Sequence, residues 1–128
     1  MAEEETPWPS WATERVEIVV YDPAWARTAA LECVHLQRLL AHLRVGTIEH
    51  VGSTAVPGLA AKPILDLQAQ VADLDVADEV AAVLAEHGWH YVPPLLDHRP
   101  YRRFFVKVAN GHRTAHLHLL EADGDRWK

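Results

Sequence analysis

The stretch that decides the fold of this chain is IEHVGSTAVPGLAAKPILDL, residues 48–67. It joins two predicted β-strands, residues 45–51 and 63–71, through a loop that contains glycine and proline. Successive side chains of a strand point to opposite faces, so the second strand carries two different sets. One set is apolar and the other mostly polar: Leu65, Leu67, Ala69 and Val71 against Ile64, Asp66, Gln68 and Gln70. This pattern predicts a sheet with one buried face and one face that presents Asp66.

Further elements are predicted on both sides of this stretch. Residues 16–21 predict a strand, and Asp22-Pro23 begins a helix that the apolar spacing extends to about residue 43. A helix over residues 76–87, capped by Asp75 and ended by Gly88, precedes a short strand over 89–92. After a loop over 93–100, residues 101–109 and 113–120 form a hairpin around Asn110-Gly111. The order β-α-β-loop-β-α-β-β-β predicts an α+β domain, a mixed β-sheet with helices packed on one face.

Length and charge limit the classes of protein that this chain can represent. Its 128 residues, 49% of them apolar, suffice for one core. The formal net charge is -6, so no overall basic field is available to hold a long nucleic acid. A local basic cluster does occur, formed by Arg99, Arg102, Arg103 and Lys107. A small anionic ligand therefore remains an option, whereas long nucleic acid is not an expected partner.

No segment predicts a membrane span, because no apolar run approaches the roughly 20 residues that a bilayer requires. The acidic start MAEEE lacks the order of a secretory signal, so we expect a cytoplasmic location. Cys33, the only cysteine, falls in the first predicted helix and is expected to be a small buried thiol. Residues 1–14 predict a flexible tail, and residues 15–128 the domain itself.

The stretch over residues 48–67 resembles the signature of the GrpB family. A histidine, a Gly-Ser-Thr turn, Val-Pro-Gly-Leu, Lys-Pro and then an aspartate form an unusually specific order. The opening Tyr21-Asp22-Pro23 and the late His116-Leu117-His118 are also similar to that family. The resemblance covers about residues 17–127 and implies a nucleotidyltransferase-like core in a family whose members mostly lack an assigned reaction. It also implies that the usual C-terminal helices are missing, which would expose an apolar face and allow self-association.

Several residues are candidates for binding a nucleotide or another small phosphorylated ligand. Gly52 allows backbone N–H groups to approach phosphate oxygens, and the hydroxyls that follow it add donors. An arginine just before the hairpin can clamp a phosphate in bidentate fashion. The predicted phosphate-binding set is Gly52, Ser53, Thr54, Lys62, Arg102 and Arg103. The alternatives are that residues 52–58 are only a tight connection and that Lys62 is an ordinary surface residue.

Asp66 is the main candidate for metal binding, because a charge within an apolar strand needs a partner. In nucleotidyltransferases, as the resemblance implies, two carboxylates two residues apart on this strand hold two magnesium ions. Gln68 stands in the second place and brings no negative charge, so one metal is expected rather than a preformed two-metal site. The predicted cofactor is a divalent cation, Mg²⁺ or Mn²⁺.

His116 and His118 are candidates for catalysis or metal binding. They share one face of the last strand, and they join the Asp66 face if that strand pairs beside it. Two imidazoles and a carboxylate suit zinc, manganese or iron better than magnesium; the imidazoles can instead donate to phosphate or act as acid and base. A solvated sheet face is the alternative. The predicted catalytic set is Asp66, His116 and His118, and the predicted metal set is Asp66, Gln68, His116 and His118.

Three functions stay open from the sequence. The first is metal-dependent nucleotidyl or phosphoryl transfer from a nucleoside triphosphate. The second is a non-catalytic nucleotide-binding or auxiliary module, motivated by Gln68 and by the occurrence of the family in fusions to dephospho-coenzyme A kinases. The third is a metal-dependent phosphoester hydrolase that uses His116, His118 and Asp66. Whether the chain is an enzyme is thus an open question at this point.

Overall fold

The computed structural model describes residues 9–122, which form a five-stranded sheet with the two longest helices packed on one face. In chain order the elements are α1 (Ala24–Leu39), β1 (Arg44–Val51), β2 (Leu65–Val71), α2 (Ala77–Leu84), β3 (Trp89–Val92), the one-turn helix α3 (Pro94–Asp97), β4 (Arg102–Ala109) and β5 (His112–Glu121). The strand order is β1-β2-β5-β4-β3, in which β2 and β5 run parallel and the other pairs antiparallel. The predicted α+β class with a mixed sheet is confirmed.

The core lies between one face of the sheet and the helices α1 and α2. Burial alternates along β2 as its sequence predicts, with Leu67, Ala69 and Val71 inaccessible to solvent. The other fully buried large residues that meet there are Leu36, Leu40, Val80, Leu84, Phe105, Leu117 and Leu119. Burial of each such side chain contributes about 1.5–3 kcal/mol. Helices α1 and α2 therefore occupy this face, and the even-numbered residues of β2 lie on the opposite side.

Helix α1 begins where the sequence predicts and ends four residues early. The backbone N–H of Ala24 donates to Oδ1 of Asp22 at 2.9 Å, so Asp22 caps the helix. At the other end, the N–H groups of Leu43 and Arg44 both donate to the carbonyl of Leu40, which forms a turn into β1. The apolar spacing continues through this turn, so the spacing alone predicted a longer helix.

Three local predictions were wrong. Residues 16–21 form no strand but only an isolated bridge between Val19 and Ala61, and Val20 is 82% exposed. Their β-branched side chains suit a strand but find no neighbouring strand to complete a ladder. The side chain of Asp73, rather than Asp75, caps the 3-10 turn that precedes α2. Finally, α3 forms inside the predicted loop, with proline at its first position, where the missing N–H costs nothing.

The hairpin and the short strand before it are confirmed. Asn110 and Gly111 have φ angles of 54° and 79°, as a two-residue turn between paired strands requires. Strand β3 has the predicted bounds, and Gly88, at φ 86°, ends the preceding helical turn in the left-handed conformation. Cys33 is buried as expected.

Part of the expected tail contacts the sheet. Ser10–Thr13 forms a 3-10 turn, and the ring of Trp11 lies 5.1 Å from that of His90. The carboxylate of Glu14 accepts from the backbone N–H of Arg113 at 2.8 Å. Residues 1–8 and 123–128, which include most of the expected tail and the end of the resemblance, lie outside the described residues. Within the described range, none of the helices is sufficiently long and apolar to span a bilayer.

Candidate functional site around Asp66

Parallel pairing of β2 with β5 places Asp66 beside two histidines. The register sets Asp66 opposite His116 and Gln68 opposite His118. Nε2 of His118 lies 3.2 Å from Oδ1 of Asp66, and Nδ1 of His116 lies 3.4 Å from the same oxygen. The side chain of Asp66 is 31% exposed, so its carboxylate is shielded but open to small ligands. The condition that the sequence left open, that the last strand pairs beside Asp66, is met.

Gly52 lies directly against the Asp66 carboxylate. Its φ of 77° and ψ of -167° are accessible essentially to glycine alone. A Cβ at this position would lie 2.8 Å from Oδ2 of Asp66 and 3.1 Å from its Cβ, closer than atoms in van der Waals contact. The glycine of the Gly-Ser-Thr turn is thus required both by the turn and by the neighbouring carboxylate.

A chain of hydrogen bonds connects Asp66 to a buried acid on α3. Nε and Nη2 of Arg102 donate to the two carboxylate oxygens of Asp97 at 3.0 and 2.6 Å. Nη1 of Arg102 lies 2.8 Å from Nδ1 of His118. A guanidinium can only donate, so Nδ1 accepts, and the proton of the neutral ring is on Nε2, facing Asp66. Phe104 packs against this chain, with the guanidinium 4.2 Å from the centre of its ring.

The charge of Asp66 follows from these contacts. Burial raises the pKa of its carboxyl, but the contacts with His116 and His118 outweigh burial and hold the pKa well below its ordinary value. The carboxylate is therefore ionised at neutral pH. Burial lowers the pKa of His50, and the negative charge of Asp66 opposes that effect. Nε2 of His50 lies 2.8 Å from the hydroxyl of Thr54, so these two side chains satisfy each other.

Asp66 separates two cavities on the face of the sheet opposite α1 and α2. The larger, of about 410 Å³, is lined by Gly52, Gln68, Tyr101 and His118, among others. The smaller, of about 270 Å³, is lined by Ser53, Lys62 and His116. Ligand groups in either cavity can approach the same carboxylate.

The predicted phosphate-binding residues do not all meet at this site. Ser53 and Lys62 are exposed and line the smaller cavity, whereas Thr54 is buried, 3% exposed, and bonded to His50. Arg102 faces the larger cavity, but its donors are engaged by Asp97 and His118. Arg103 points to the opposite face of the sheet, because adjacent strand residues alternate, and lines a cavity beside α2.

The rest of the predicted basic cluster is also dispersed. Nζ of Lys107 donates to both carboxylate oxygens of Glu32, on the helical side of the sheet. Nη1 of Arg99 contacts the backbone carbonyl of Asp97 at 3.4 Å. Four basic residues close in sequence thus form no single basic surface.

Four residues of the site were missed from the sequence. Asp97 lies in a segment predicted to be a loop, and its burial could not be anticipated there. Phe104 follows Arg102 by two positions on a strand, so alternation offered a signal that the two share a face. His50 belongs to the quoted motif but was given no role. Tyr101 lines the larger cavity although it precedes the strand.

The side chains fit a divalent cation with oxygen ligands. Asp66 and Gln68 both line the larger cavity, and Mg²⁺ usually takes one or two carboxylates and completes its shell with water and phosphate oxygens. His118 does not fit as a metal ligand, since its Nε2 carries a proton while Arg102 donates to Nδ1. In the described part of the chain, no three His, Cys, Asp or Glu side chains are arranged to hold a metal. The hydrolase hypothesis, which needs both histidines as ligands, does not fit this arrangement.

Known proteins share this fold. A solved GrpB protein from Enterococcus faecalis superimposes with a TM-score of 0.77 and 30% identity, over 87% of this chain and 65% of that one. A cytoplasmic RNA terminal U-transferase superimposes with a TM-score of 0.50 and 15% identity, over 83% of this chain and 33% of that one. The second likeness shows the fold alone, which is nucleotidyltransferase-like as the resemblance to the GrpB family implied.

Curated relatives match by sequence as well. The UPF0157 protein PA4798 of Pseudomonas aeruginosa is 37% identical over 124 residues, which cover 94% of this chain and 50% of the relative. A dephospho-CoA kinase of Mycobacterium tuberculosis is 37% identical over 84 residues, 63% of this chain and 19% of the kinase. This chain thus spans about half the length of the first relative. The family model described as GrpB protein matches residues 15–128, and the chain therefore belongs to the GrpB family.

Proposed function

We propose that this chain binds a nucleoside triphosphate together with a divalent cation at Asp66 and transfers its nucleotidyl group to an acceptor. The observation that carries the proposal is the ionised Asp66 carboxylate, placed between two cavities and against the Gly-Ser-Thr turn. A nucleotide needs groups that bind its phosphates and the accompanying cation, and candidate side chains for both line the two cavities beside this carboxylate.

The residues of the smaller cavity are suited to the phosphates. Ser53 is exposed beside Asp66 and offers a hydroxyl donor, and Lys62 brings a positive charge to the same cavity. Asp66 and Gln68 would hold Mg²⁺ or Mn²⁺, which would neutralise phosphate charge and stabilise the departing pyrophosphate. His118 donates its Nε2 proton to Oδ1 of Asp66 and fixes the direction of the carboxylate.

Binding is tested by thermal shifts with ATP, GTP, CTP and UTP, each with Mg²⁺ or Mn²⁺. A ligand at 100 times its Kd stabilises the folded chain by about 2.7 kcal/mol, and we expect Asp66→Asn to abolish that shift. Glu79→Gln is the matched control, because it also removes one charge but from exposed surface on α2, across the sheet from the site. Equal shifts in Asp66→Asn and Glu79→Gln would exclude Asp66 as the binding residue.

Transfer is tested by release of pyrophosphate in the same samples. We expect release from the wild type with candidate acceptors and none from Asp66→Asn. Turnover that persists in Asp66→Asn would remove the role assigned to this carboxylate.

A second candidate is a nucleotide-binding module without turnover, and Gln68 is the observation that favours it. Of the two β2 residues that line the larger cavity, Asp66 and Gln68, only Asp66 bears a negative charge, so two adjacent cations would be poorly neutralised. The sequence similarity to part of a dephospho-CoA kinase adds coenzyme A precursors to the ligands worth testing. A cation-dependent thermal shift that Asp66→Asn abolishes, without pyrophosphate release, would favour this candidate over the first.

A further inference from the structure

The direction of the hydrogen bond between Arg102 and His118 restricts what His118 can bind. All five N–H groups of a guanidinium donate and none accepts. Two of the nitrogens of Arg102 are held by both oxygens of Asp97, and the third lies 2.8 Å from Nδ1 of His118. Nδ1 must therefore keep its lone pair toward Arg102, and the single ring proton occupies Nε2, 3.2 Å from Asp66.

A metal-bound imidazole requires the reverse arrangement. The ligating nitrogen offers its lone pair, and the other nitrogen carries the proton and donates it to a carboxylate, a carbonyl or water. In this chain the proton is on Nε2 of His118, the nitrogen nearest Asp66. The group that contacts the other nitrogen, Nδ1, is the guanidinium of Arg102, which can only donate. His118 can thus approach a metal through Nε2 only if Arg102 is displaced.

Arg102 is held firmly enough to maintain this arrangement. Its side chain is 12% exposed and that of Asp97 is 5% exposed, so the ion pair is shielded from water. Phe104 packs under the guanidinium and contacts the rings of His116 and His118, with centroid distances of 4.9 and 5.2 Å. Displacement of Arg102 would leave the Asp97 carboxylate buried without its partner.

We propose that Arg102 is a specificity-determining residue that prevents His118 from binding transition metals and reserves the Asp66 site for a cation with oxygen ligands. The inference rests on the cation site of the proposed function, but the proton position that it requires does not depend on nucleotide. His118 is thereby a positioning residue for Asp66. Asp97, distant in sequence, contributes by anchoring Arg102.

The experiment replaces Arg102, the hydrogen-bond donor to Nδ1 of His118, by a residue that can accept a hydrogen bond. In Arg102→Gln the amide oxygen can accept from Nδ1–H, which frees the Nε2 lone pair for a metal. Arg102→Lys is the matched control, because an ammonium only donates. Zn²⁺ and Co²⁺ are titrated calorimetrically at pH 7.5 into untagged wild type, both variants, and His118→Ala in the wild-type and Arg102→Gln backgrounds, all without nucleotide. Weak binding by other histidines is common to every sample and cancels in the comparison.

We expect His118→Ala to leave the metal affinity of the wild type unchanged within about twofold. Arg102→Gln should tighten binding by about 10- to 100-fold, the usual effect of groups behind a metal-bound histidine, and His118→Ala should remove that gain. Arg102→Lys should show none. A folded Arg102→Gln that binds no more tightly, or a wild type that loses tenfold in affinity with His118→Ala, overturns the proposal.

A second measurement needs no variant that perturbs Asp97. Long-range ¹H–¹⁵N spectra of the wild type at pH 7.5 report which nitrogen of His118 carries the proton. We expect protonated Nε2 and unprotonated Nδ1; a proton on Nδ1 overturns the proposal. If this spectrum is as expected but no nucleotide shifts the melting temperature, the proposed function fails, whereas the exclusion of transition metals from His118 by Arg102 stands.

Discussion

The substitution Gly52→Ala tests whether the turn and Asp66 are as close as the structure shows. Gly58→Ala is its internal control, because Gly58 lies in the same loop at φ 83° and a Cβ there meets no atom within 4 Å. The control thus introduces a positive-φ alanine without a steric clash. Any additional effect at Gly52 reports on its backbone conformation and on its contact with Asp66.

The expected magnitudes follow from the two environments. An alanine held at positive φ costs about 1–2 kcal/mol, which is the expected loss for Gly58→Ala. For an alanine at position 52, the backbone conformation alone lowers the free energy of unfolding by about 1–3 kcal/mol. In addition, a Cβ 2.8 Å from Oδ2 forces Asp66 to move. Movement weakens its bond with His118, and a hydrogen bond to a charged group is worth about 1.5–3 kcal/mol. We therefore expect Gly52→Ala to lose roughly 2–3 kcal/mol more than Gly58→Ala.

Urea unfolding of both variants measures the difference. With slopes of about 1–3 kcal/mol/M, the midpoint of Gly52→Ala should lie about 1 M below that of Gly58→Ala. The pKa of Asp66, followed by ¹³C NMR of its carboxyl, should rise toward the ordinary value in Gly52→Ala only. Losses that agree within about 0.5 kcal/mol, with the pKa of Asp66 unchanged, would refute the close approach.

Four further predictions concern stability. The pKa of Asp66 is lower in the folded chain than its ordinary 3.8, so its charge stabilises the fold above that pH; the gap in unfolding free energy between wild type and Asp66→Asn should shrink as the pH falls below about 4, and a constant gap would contradict this. The backbone N–H of Arg113, and then His112, lower the pKa of Glu14 from 4.5 to about 2, so melting temperatures of wild type and Glu14→Gln should differ above pH 4.5 and converge toward pH 2. Arg102→Met should cost about 3–5 kcal/mol by urea unfolding, since it leaves Asp97 unpaired, and Asp97→Leu in that background should recover much of the loss; no recovery would argue against the buried pair. Leu117→Ala, in the fully buried core, should cost about 2–5 kcal/mol in the same assay, whereas exposed Leu95→Ala should cost little.

Residue patterns local in the sequence were sufficient to predict most of the helices and strands. The alternation around Asp66 determines the two faces of β2, because a strand can bury only every second residue against the helices. Asn110-Gly111 specifies the hairpin turn, and Gly88 ends the preceding helical turn, since both need backbone angles that most residues avoid. The GrpB motif adds the family and the position of the candidate site.

Other features depended on partners far away in the chain. Residues 16–21 are rich in the β-branched side chains typical of strands, but no strand lies beside them. The turn at Leu40 continues the apolar spacing of α1, although the helix has ended. No local pattern reports either fact, because strand pairing and helix ends are decided by what packs alongside.

The sequence by itself determined the class of fold and the family, and it predicted Asp66 as the centre of the candidate site. Only the tertiary structure decided which neighbours Asp66 has. Parallel pairing of β2 with β5 brings the two histidines to its carboxylate, and α3 supplies Asp97 to hold Arg102 behind His118. The direction of a hydrogen bond depends on which donor faces which acceptor, and that follows from register and packing rather than from residue type.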